Sequence, residues 1–428
     1  MDSFYRSLKQ RGFEGDIDTT ELTRQTYSHD ASLFELMPQV VVFPKNTTDL
    51  RRLVASANEC RGEIPGLSLT ARSGGTCMSG GSINESVIVD VNRYLNKIEN
   101  VTYSSAHAQP GVFYRDFEKA TLVEGALLPS FPASREICTI GGMVANNAGG
   151  EKSLEYGKTE DFVTKLEVIL SDGKQYTLGA LQKPELKAKM AQKNFEGEIY
   201  RKMYKLLDDH YDQIKKAKPR VSKNSTGYNL WDVWDRETGV FDLTKLFTGS
   251  QGTLGLIGDI NFRLVKNPAH SGVLVVFMRN INDLGNIINE VIAQKPASFE
   301  AFDNYTLMLA IKFFPYFRKT LGWGGLIRLA LQLLPDALLM FRGIPKMVLL
   351  IEFTGQHPEE VALRIRTMHE ILKPYELEAM EEDSTEAKAW KFRIIRRESF
   401  NLLRKKVKDK HTAPFIDDLV VPPPKLVE

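Results

Sequence analysis

Short apolar runs alternate with amphipathic stretches along the first part of the chain. The β-branched run Val40–Phe43 stops at Pro44, which is typical of a buried strand. Apolar positions at helical spacing follow between residues 50 and 57, and Thr48 is the predicted cap of that helix. Val87–Val91 is a second β-branched run. This alternation predicts a domain of mixed helices and strands.

The same alternation begins again after Asn267 and Pro268. Val273–Phe277 and Leu349–Phe353 are apolar runs of strand length, and each precedes a stretch with helical spacing. A chain of 428 residues is too long for one hydrophobic core. We therefore predict three parts: a polar lead-in over residues 1–37, a first domain over 38–267 and an α/β domain over 268–428.

Two glycine-rich segments interrupt the first domain, one from Arg72 to Gly81 and one from Thr139 to Gly150. Glycine lacks a Cβ, so its backbone can lie against a ligand and offer N–H donors to phosphate oxygens. A strand follows the first segment, whereas the dinucleotide fingerprint G-x-G-x-x-G requires a helix there. The pattern therefore indicates a phosphate-binding cradle and disfavours a nicotinamide-binding Rossmann domain.

Composition, charge and cysteine spacing argue against several classes of function for this chain. Hydrophobic residues make up 43% of the chain and charged residues 26%, which is ordinary for a soluble protein, and a net charge of +2 gives no reason to expect nucleic acid as a partner. Cys60, Cys77 and Cys138 are too far apart to form a zinc ribbon or an iron–sulfur cluster, so we predict no metal site. The N-terminus lacks the apolar core of a signal peptide, and we expect a cytoplasmic protein.

An ordered set of segments gives the chain a resemblance to a known family. The set comprises Asp30-Ala31-Ser32, Pro38 to Pro44, the two glycine segments with Pro132 between them, Tyr156-Gly157, Thr226-Gly227-Tyr228 and Gly249 to Gly255. In this order they resemble the flavoprotein superfamily that includes vanillyl-alcohol oxidase and p-cresol methylhydroxylase, and within it D-lactate dehydrogenases and the flavin subunit of glycolate oxidase. The resemblance covers residues 26–428. It implies an α+β fold, with a two-subdomain FAD-binding domain of p-cresol methylhydroxylase type followed by an α/β (ferredoxin-like) cap domain.

The resemblance also implies which residues hold FAD. The pyrophosphate would lie against the first glycine segment, and the ribityl chain and flavin against the second, with Ile257 near the adenosine or the ring edge. The candidate cofactor-binding residues are Arg72, Ser73, Gly74, Gly75, Thr76, Ser79, Gly80, Pro132, Thr139, Gly141, Gly142, Asn146, Gly149 and Ile257. Some relatives attach FAD covalently through a histidine in the first loop. This chain has Thr76-Cys77 there, so we expect noncovalent FAD and a Cys77 that only packs.

The family chemistry implies a substrate and an electron acceptor. Members oxidise a D-2-hydroxy acid by hydride transfer to flavin N5, so we expect a small acid of the lactate or glycolate class, with electrons passed to a quinone, a cytochrome or an iron–sulfur protein. A bidentate arginine suits the substrate carboxylate. Relatives place it in a W-x-x-R pattern, and after Trp390 this chain offers Arg393 and Arg396. An alkyl-glycerone-phosphate synthase-like flavoenzyme, which uses FAD without net oxidation, is the alternative enzyme.

Two departures from the family pattern lie near the end of the chain. Relatives continue with a histidine-rich H-x-G-D-G-N-x-H segment after the region that matches Val420-Val421-Pro422, and this chain stops at Glu428 before it. We expect a piece of a longer enzyme; a non-catalytic flavin-binding subunit of a larger complex is the alternative. Phe415-Ile416 precede Asp417 where some relatives have a lysine, which disfavours a dicarboxylic substrate.

Residues 305–348 differ from the usual cap domain of the family. They form two strongly apolar runs that carry six Lys or Arg residues against one Asp, and Pro315 and Pro335 interrupt them. Neither run reaches the roughly twenty apolar residues that a membrane-spanning helix needs. An interfacial helix pair on the inner face of the cytoplasmic membrane is one interpretation. A buried cap over the active site, or an oligomer contact, is the other.

Overall fold

Two separately packed units make up the described part of the chain. The computed structural model describes residues 1–221, 223–312, 322–325, 327, 344–375, 377, 379–383, 419–422 and 425. The first unit contains residues 1–150 and 157–267, and the second contains residues 151–156 and the described residues from 268 to 383. Helices and strands are mixed in both units, which confirms the predicted α+β class.

A four-stranded sheet forms the N-terminal half of the first unit. Its strands are β1 (Asp16–Asp18), β2 (Val40–Phe43), β3 (Leu69–Arg72) and β4 (Val87–Asp90), in the order β1-β2-β4-β3. β4 is parallel to β2 and β3, whereas β1 is antiparallel to β2. Every residue of β2 and β4 is buried, as expected for parallel strands covered on both faces. The two apolar runs of the sequence are therefore the centre of this sheet.

Helices from the lead-in and the first domain cover this sheet together. They are α1 (Asp2–Gln10), α2 (Glu21–Tyr27) and α3 (Thr47–Cys60). Phe4 of α1 and Leu50 of α3 belong to one core cluster with Val40 and Val87 of the sheet. Phe4 and Leu8 of the polar lead-in thus belong to the core of the first unit.

Asn46 caps helix α3, so the predicted cap at Thr48 was wrong by two positions. The Asn46 side chain accepts a hydrogen bond from the Asp49 backbone N–H at 2.9 Å, and Thr48 lies exposed within the first turn. The Asp49 carboxylate, which is fully buried, accepts further bonds from the backbone N–H groups of Glu14 and Lys45. Both Asn and Thr are good caps, so the pattern alone could not choose between neighbours.

We expect Asn46→Ala to lower the free energy of unfolding by about 1 kcal/mol, because the Asp49 N–H loses its acceptor. Thr48→Ala, which removes an exposed side chain that caps nothing, should change it by less than about 0.5 kcal/mol. Urea unfolding followed by circular dichroism measures both. Equal losses in the two variants would contradict this assignment of the cap.

A six-stranded antiparallel sheet forms the other half of the first unit. Its strands are β5 (Ile98–Glu99), β6 (Ser105–Ala108), β8 (Val163–Ile169), β9 (Gln175–Leu181), β10 (Phe241–Asp242) and β11 (Leu256–Arg263), in the order β10-β9-β8-β11-β6-β5. Buried and half-buried residues alternate along β11, which is the pattern of a sheet packed on one face. A two-stranded sheet pairs β7 (Ala126–Leu127) with β12 (Val265–Lys266).

The remaining helices of the first unit are short, apart from one of 15 residues. They are α4 (Tyr114–Val123), α5 (Ile140–Ala145), α7 (Lys183–Ala191), α8 (Phe195–Asp209), α9 (Tyr211–Ala217) and α10 (Thr244–Phe247), with a 3₁₀ turn at Thr159–Asp161. The second glycine segment begins just before α5 and continues beyond it.

The second unit has the strand order of a ferredoxin-like fold. Its strands are β13 (His270–Met278), β14 (Ser298–Asp303), β15 (Met347–Gly355) and β16 (Ala379–Asp383), in the antiparallel order β14-β15-β13-β16. Its helices are α6 (Ser153–Tyr156), α11 (Leu284–Ala293), α12 (Asn304–Lys312) and α13 (Pro358–Leu372). Side chains of β13 and β15 form one core cluster with those of α11 and α13. This arrangement agrees with the predicted cap domain.

Little of the apolar insertion at 305–348 lies within the described residues. Its first part belongs to α12, and its last two residues begin β15. No helix among the described residues has the length and apolar character to cross a membrane. Membrane contact by this insertion, and the cytoplasmic location, stay predictions.

Candidate functional site

The first glycine segment is a loop that joins two neighbouring parallel strands. It leaves β3 at Arg72 and the chain enters β4 at Val87, with no helix between them. Gly75 and Gly80 have φ angles of +63° and +78°, which a residue with a side chain rarely adopts. The prediction that a strand follows this loop is therefore confirmed.

The two glycine segments contact each other directly. The Ser73 hydroxyl lies against the Thr139 hydroxyl and accepts a hydrogen bond from the Gly142 backbone N–H at 3.0 Å. The Gly74 N–H donates to Thr139 Oγ1 at 3.1 Å. Thr139 is almost fully buried, so its hydroxyl forms hydrogen bonds with the neighbouring loop instead of with solvent. Four of the predicted cofactor residues thus form one joint, although 66 positions separate Ser73 from Thr139.

Two glycines of the second segment are needed because the backbone of another segment passes close by. A Cβ on Gly141 would lie 2.5 Å from Pro110 Cβ and 2.7 Å from the Pro110 carbonyl oxygen. A Cβ on Gly150 would lie 2.2 Å from the Phe131 carbonyl oxygen and 3.2 Å from Pro132 Cα. Real Cβ atoms do not approach a neighbour below 3.0 Å. These glycines are thus fixed by packing within the protein.

The loop from Gly75 to Gly80 offers a row of unused donors. Throughout the described part of the chain, no protein acceptor receives a hydrogen bond from the backbone N–H groups of these six residues. The next N–H, of Gly81, points to Cys77 Sγ at 3.4 Å. Unpaired backbone donors in a glycine-rich loop form a concavity that binds anions. The loop can therefore hold a phosphate or pyrophosphate group.

Arg72 places a positive charge next to this loop. A Cβ on Gly75 would lie 2.8 Å from Arg72 Nη2, so the guanidinium and the loop backbone are in close contact. Burial lowers the pKa of Arg72, and it raises the pKa of the buried Asp90 carboxyl near it. The N–H row and this cation together favour an anionic ligand.

A polar network around Glu160 supports the far end of the second glycine segment. Glu160 Oε2 accepts hydrogen bonds from the side-chain amides of Asn147 and Asn229, each at 2.7 Å, and Oε1 pairs with Lys158 Nζ at 2.8 Å. Asn147 Oδ1 accepts a hydrogen bond from the Glu160 backbone N–H at 3.0 Å. The backbone of Asn147 has a positive φ of 46°. The backbone N–H of Gly249 donates to the Val144 carbonyl at 2.9 Å. Four sequence segments therefore meet at this network.

The other predicted cofactor residues lie in several places. Asn146 Oδ1 accepts a hydrogen bond from Gln251 Nε2 at 2.8 Å, and the Ser79 hydroxyl lies 3.4 Å from Cys77 Sγ. Thr76 and Gly149 are half-buried within their own segments. Ile257 lies on β11, opposite Val168 of the six-stranded sheet. The two predicted substrate residues, Arg393 and Arg396, lie outside the described residues.

Sequence reasoning missed residues that hold the loops from outside. Asn92 Nδ2 donates to the Ser73 carbonyl at 2.7 Å, and the Pro110 carbonyl accepts from the Gly141 N–H at 2.8 Å. Tyr27 and Phe34 contact the first loop from the lead-in. Gln251 lies in the Gly249 to Gly255 segment that the resemblance used, which is the one signal that pointed to it.

No cluster of three or more His, Cys, Asp or Glu side chains that could hold a metal ion occurs among the described residues. Cys60, Cys77 and Cys138 are free thiols. The chemistry that the described site supports is therefore the binding of an anionic group by backbone donors.

Comparison with protein families identifies two domains in this chain. Residues 38–179 match the family model described as FAD binding domain, and residues 267–428 match the C-terminal domain of FAD linked oxidases. The first match contains both glycine segments. FAD is the cofactor that these domains indicate.

Curated relatives match the chain over only part of their own length. It is 27% identical over 441 residues to D-2-hydroxyglutarate dehydrogenase of Pseudomonas putida, a match that covers 99% of the chain and 41% of the relative. It is 30% identical over 303 residues to glycolate oxidase subunit GlcD of Bacillus subtilis, covering 69% of the chain and 52% of the relative. D-lactate dehydrogenase of Archaeoglobus fulgidus is 25% identical over 254 residues, covering 59% and 44%. The chain thus spans less than half of the length of the first of these relatives.

A solved structure supports the fold. Alkyldihydroxyacetonephosphate synthase superposes with a TM-score of 0.65 at 18% identity, covering 95% of this chain and 64% of that chain. At this identity the likeness concerns the fold alone. With an FAD binding domain followed by the C-terminal domain of FAD linked oxidases, this chain belongs to the FAD-linked oxidase and dehydrogenase family.

Proposed function

We propose that this chain binds FAD noncovalently and takes part in the oxidation of a 2-hydroxy acid to a 2-oxo acid. The observation that carries the proposal is the joint of Ser73, Thr139 and Gly142 between the two glycine segments, next to a loop whose six backbone N–H groups have no protein acceptor among the described residues. The names of the curated relatives support the reaction class, since they act on D-2-hydroxyglutarate, glycolate or D-lactate.

When bound, FAD supplies an acceptor for the hydride, which carries both electrons of the oxidation away from the substrate carbon. The residues of this chain bind and position it. The N–H groups from Gly75 to Gly80 hold the pyrophosphate, and Arg72 balances part of its charge. The Ser73–Thr139 joint fixes the distance between the two loops, and the Glu160 network fixes the end of the second loop.

The substrate within this class is a D-2-hydroxy acid of the lactate or glycolate type or D-2-hydroxyglutarate. Relatives named for each of them match the chain, and the D-2-hydroxyglutarate dehydrogenases match nearly its whole length. Phe415-Ile416 stand where some relatives have a lysine before the acidic residue, and this difference favours the monocarboxylic acids. We propose Arg393 or Arg396 as the carboxylate-binding group, with a quinone, a cytochrome or an iron–sulfur protein as the electron acceptor.

Anaerobic titration of the FAD-loaded full chain tests this function. We expect the flavin absorbance near 450 nm to bleach with D-lactate, glycolate or D-2-hydroxyglutarate, and to remain with L-lactate and L-2-hydroxyglutarate. Of Arg393→Lys and Arg396→Lys, the variant that changes the carboxylate-binding group should raise the substrate concentration needed for bleaching, whereas Arg404→Lys is the matched control. A loaded chain that no D-2-hydroxy acid bleaches would contradict the proposed oxidation.

Thiol labelling tests the position of the cofactor without any substrate. We expect Cys77 to react first with a thiol reagent at pH 8, because Cys60 and Cys138 are buried and burial raises the pKa of Cys138 to about 11. Saturating FAD should slow the Cys77 reaction at least about tenfold, since Cys77 lies in the loop that holds the pyrophosphate. In Cys77→Ser the fast phase should vanish. Equal rates with and without FAD would place the cofactor elsewhere.

A further inference from the structure

A short segment before the matched FAD binding domain contacts both ends of the first glycine loop. The family match begins at residue 38, whereas Tyr27, Asp30 and Phe34 precede it. Tyr27 touches Arg72 at the beginning of the loop, and Asp30 and Phe34 touch the loop near its end. The segment from residue 27 to 34 therefore contacts both ends of this loop from outside the residues that match the FAD binding domain model.

Tyr27 joins the loop to the core of the first unit. Its ring lies 5.1 Å from Arg72 Cζ, and its carbonyl accepts a hydrogen bond from Arg72 Nη1 at 3.4 Å. The Tyr27 hydroxyl donates to Asp90 Oδ2 at 2.9 Å, and its ring meets Phe43 edge-on at 5.9 Å. Asp90 and Phe43 belong to the buried strands β4 and β2, so Arg72 rests on a side chain that is itself fixed.

Asp30 and Phe34 hold the other end of the loop. Asp30 Oδ1 accepts the Ser32 backbone N–H at 2.8 Å, and Oδ2 accepts the Ser82 hydroxyl at 3.1 Å. A Cβ on Gly80 would lie 3.0 Å from Phe34 Cδ2, so the ring occupies the side of this glycine where a side chain would project. Phe34 is nevertheless 49% exposed, so it contributes little to the core.

The charge of Arg72 remains available to a ligand. In the portion of the chain that the structure describes, no carboxylate oxygen lies within 4.0 Å of its guanidinium nitrogens. Its hydrogen-bond acceptors are the carbonyls of Tyr27 and Ser82, both at 3.4 Å. The carboxylates of Asp30 and Asp90 interact with the Arg72 charge only through longer-range electrostatics, which offset part of the lowering of the Arg72 pKa by burial. A half-buried cation without an ion pair, beside six free N–H donors, is placed to attract a polyanion.

We propose that Tyr27, Asp30 and Phe34 form a clasp that holds the loop from Arg72 to Ser82 in its binding conformation and thereby sets the affinity for FAD. The inference rests on the assignment of FAD to this loop, and is independent of the substrate. A preformed loop binds more tightly, because less conformational freedom is lost when the ligand arrives. The three residues are positioning residues, since the contacts that they make are with the loop.

Phe34→Ala in the full chain tests the clasp. We expect the Kd for FAD, measured by quenching of flavin fluorescence, to rise about tenfold with the melting temperature of the FAD-free protein unchanged. Phe34→Tyr keeps the ring and should restore the wild-type Kd. Leu33→Ala is the matched control, because Leu33 is 46% exposed and precedes Phe34 directly. It should leave both the Kd and the melting temperature as in the wild type.

A second readout separates positioning from general stability. Without FAD, Cys77 should react with a thiol reagent several times faster in Phe34→Ala and in Ser82→Ala than in the wild type, because the loop opens more often. A wild-type Kd in Phe34→Ala would overturn the clasp while leaving the cofactor assignment intact. A wild-type chain that does not bind FAD would overturn both. A rise in Kd that only follows a lower melting temperature would assign these residues to folding.

Discussion

Gly141→Ala is expected to abolish FAD binding at micromolar cofactor and to destabilise the first unit by about 2–3 kcal/mol. The new Cβ would lie 2.5 Å from Pro110 Cβ and 2.9 Å from Pro110 Cα. The start of helix α5 must then move, which breaks the hydrogen bond from the Gly141 N–H to the Pro110 carbonyl. Thr139 and Gly142 would move with it and open the joint with Ser73. Flavin content after purification and urea unfolding measure the two effects.

Gly62→Ala is the matched control for this substitution. A Cβ on Gly62 would meet no atom within 4 Å, and its φ is not positive. We expect a change in the free energy of unfolding below about 0.5 kcal/mol and normal FAD content. A Gly141→Ala protein that purifies with the flavin content and unfolding midpoint of the Gly62→Ala protein would show that the Pro110 contact does not constrain the loop.

Glu160→Gln should cost about 2–3 kcal/mol of unfolding free energy, which is a large effect for a change of one atom. The Glu160 side chain is only 13% exposed, and its two oxygens face three donors from Asn147, Asn229 and Lys158. An amide in its place brings its own N–H₂ against one of these donors and leaves Lys158 without its ion pair. Because Asn147 lies in the second glycine segment, two residues after the end of helix α5, we also expect weaker binding of FAD.

Glu198→Gln provides the comparison for the charge change alone. Glu198 pairs with Lys202 across one turn of α8, and 48% of its side chain is exposed. Removal of such a surface pair should leave the free energy of unfolding close to that of the wild type. Chemical unfolding of both variants in the same buffer distinguishes a structural network from an ordinary surface charge. Equal losses would contradict the role given to Glu160.

The strands could be predicted because the residues with a high strand propensity are also the residues that are buried in the core. The run Val40–Phe43 coincides with β2, and Val273–Phe277 and Leu349–Phe353 lie within β13 and β15. An apolar β-branched run has few other stable environments, so local preference and burial agree. The cap of α3 was not predictable to the residue, since Asn46 and Thr48 satisfy the same local rule.

The glycines of the site could be predicted from the sequence, but the residues that hold the two loops in place could not. Gly74, Gly75 and Gly141 were found because the absence of a Cβ is visible in the sequence. The partners of the loops are ordinary residues, such as Asn92 and Pro110, and only the tertiary pairing of distant segments gives them their roles. The resemblance supplied the order of these segments, but it did not supply their contacts.

The joint between the glycine segments also has a consequence for the folding reaction. The contacts that complete the cradle join residues 66, 78 and 105 positions apart, through Ser73–Thr139, Ser225–Asn147 and Gln251–Asn146. Closing such long loops is slow, because their entropy is lost before the contacts form. We therefore expect FAD uptake during refolding to lag behind the recovery of secondary structure. FAD would then bind only after the first unit has folded, and would stabilise its native state by mass action. It would not serve as a nucleus for folding.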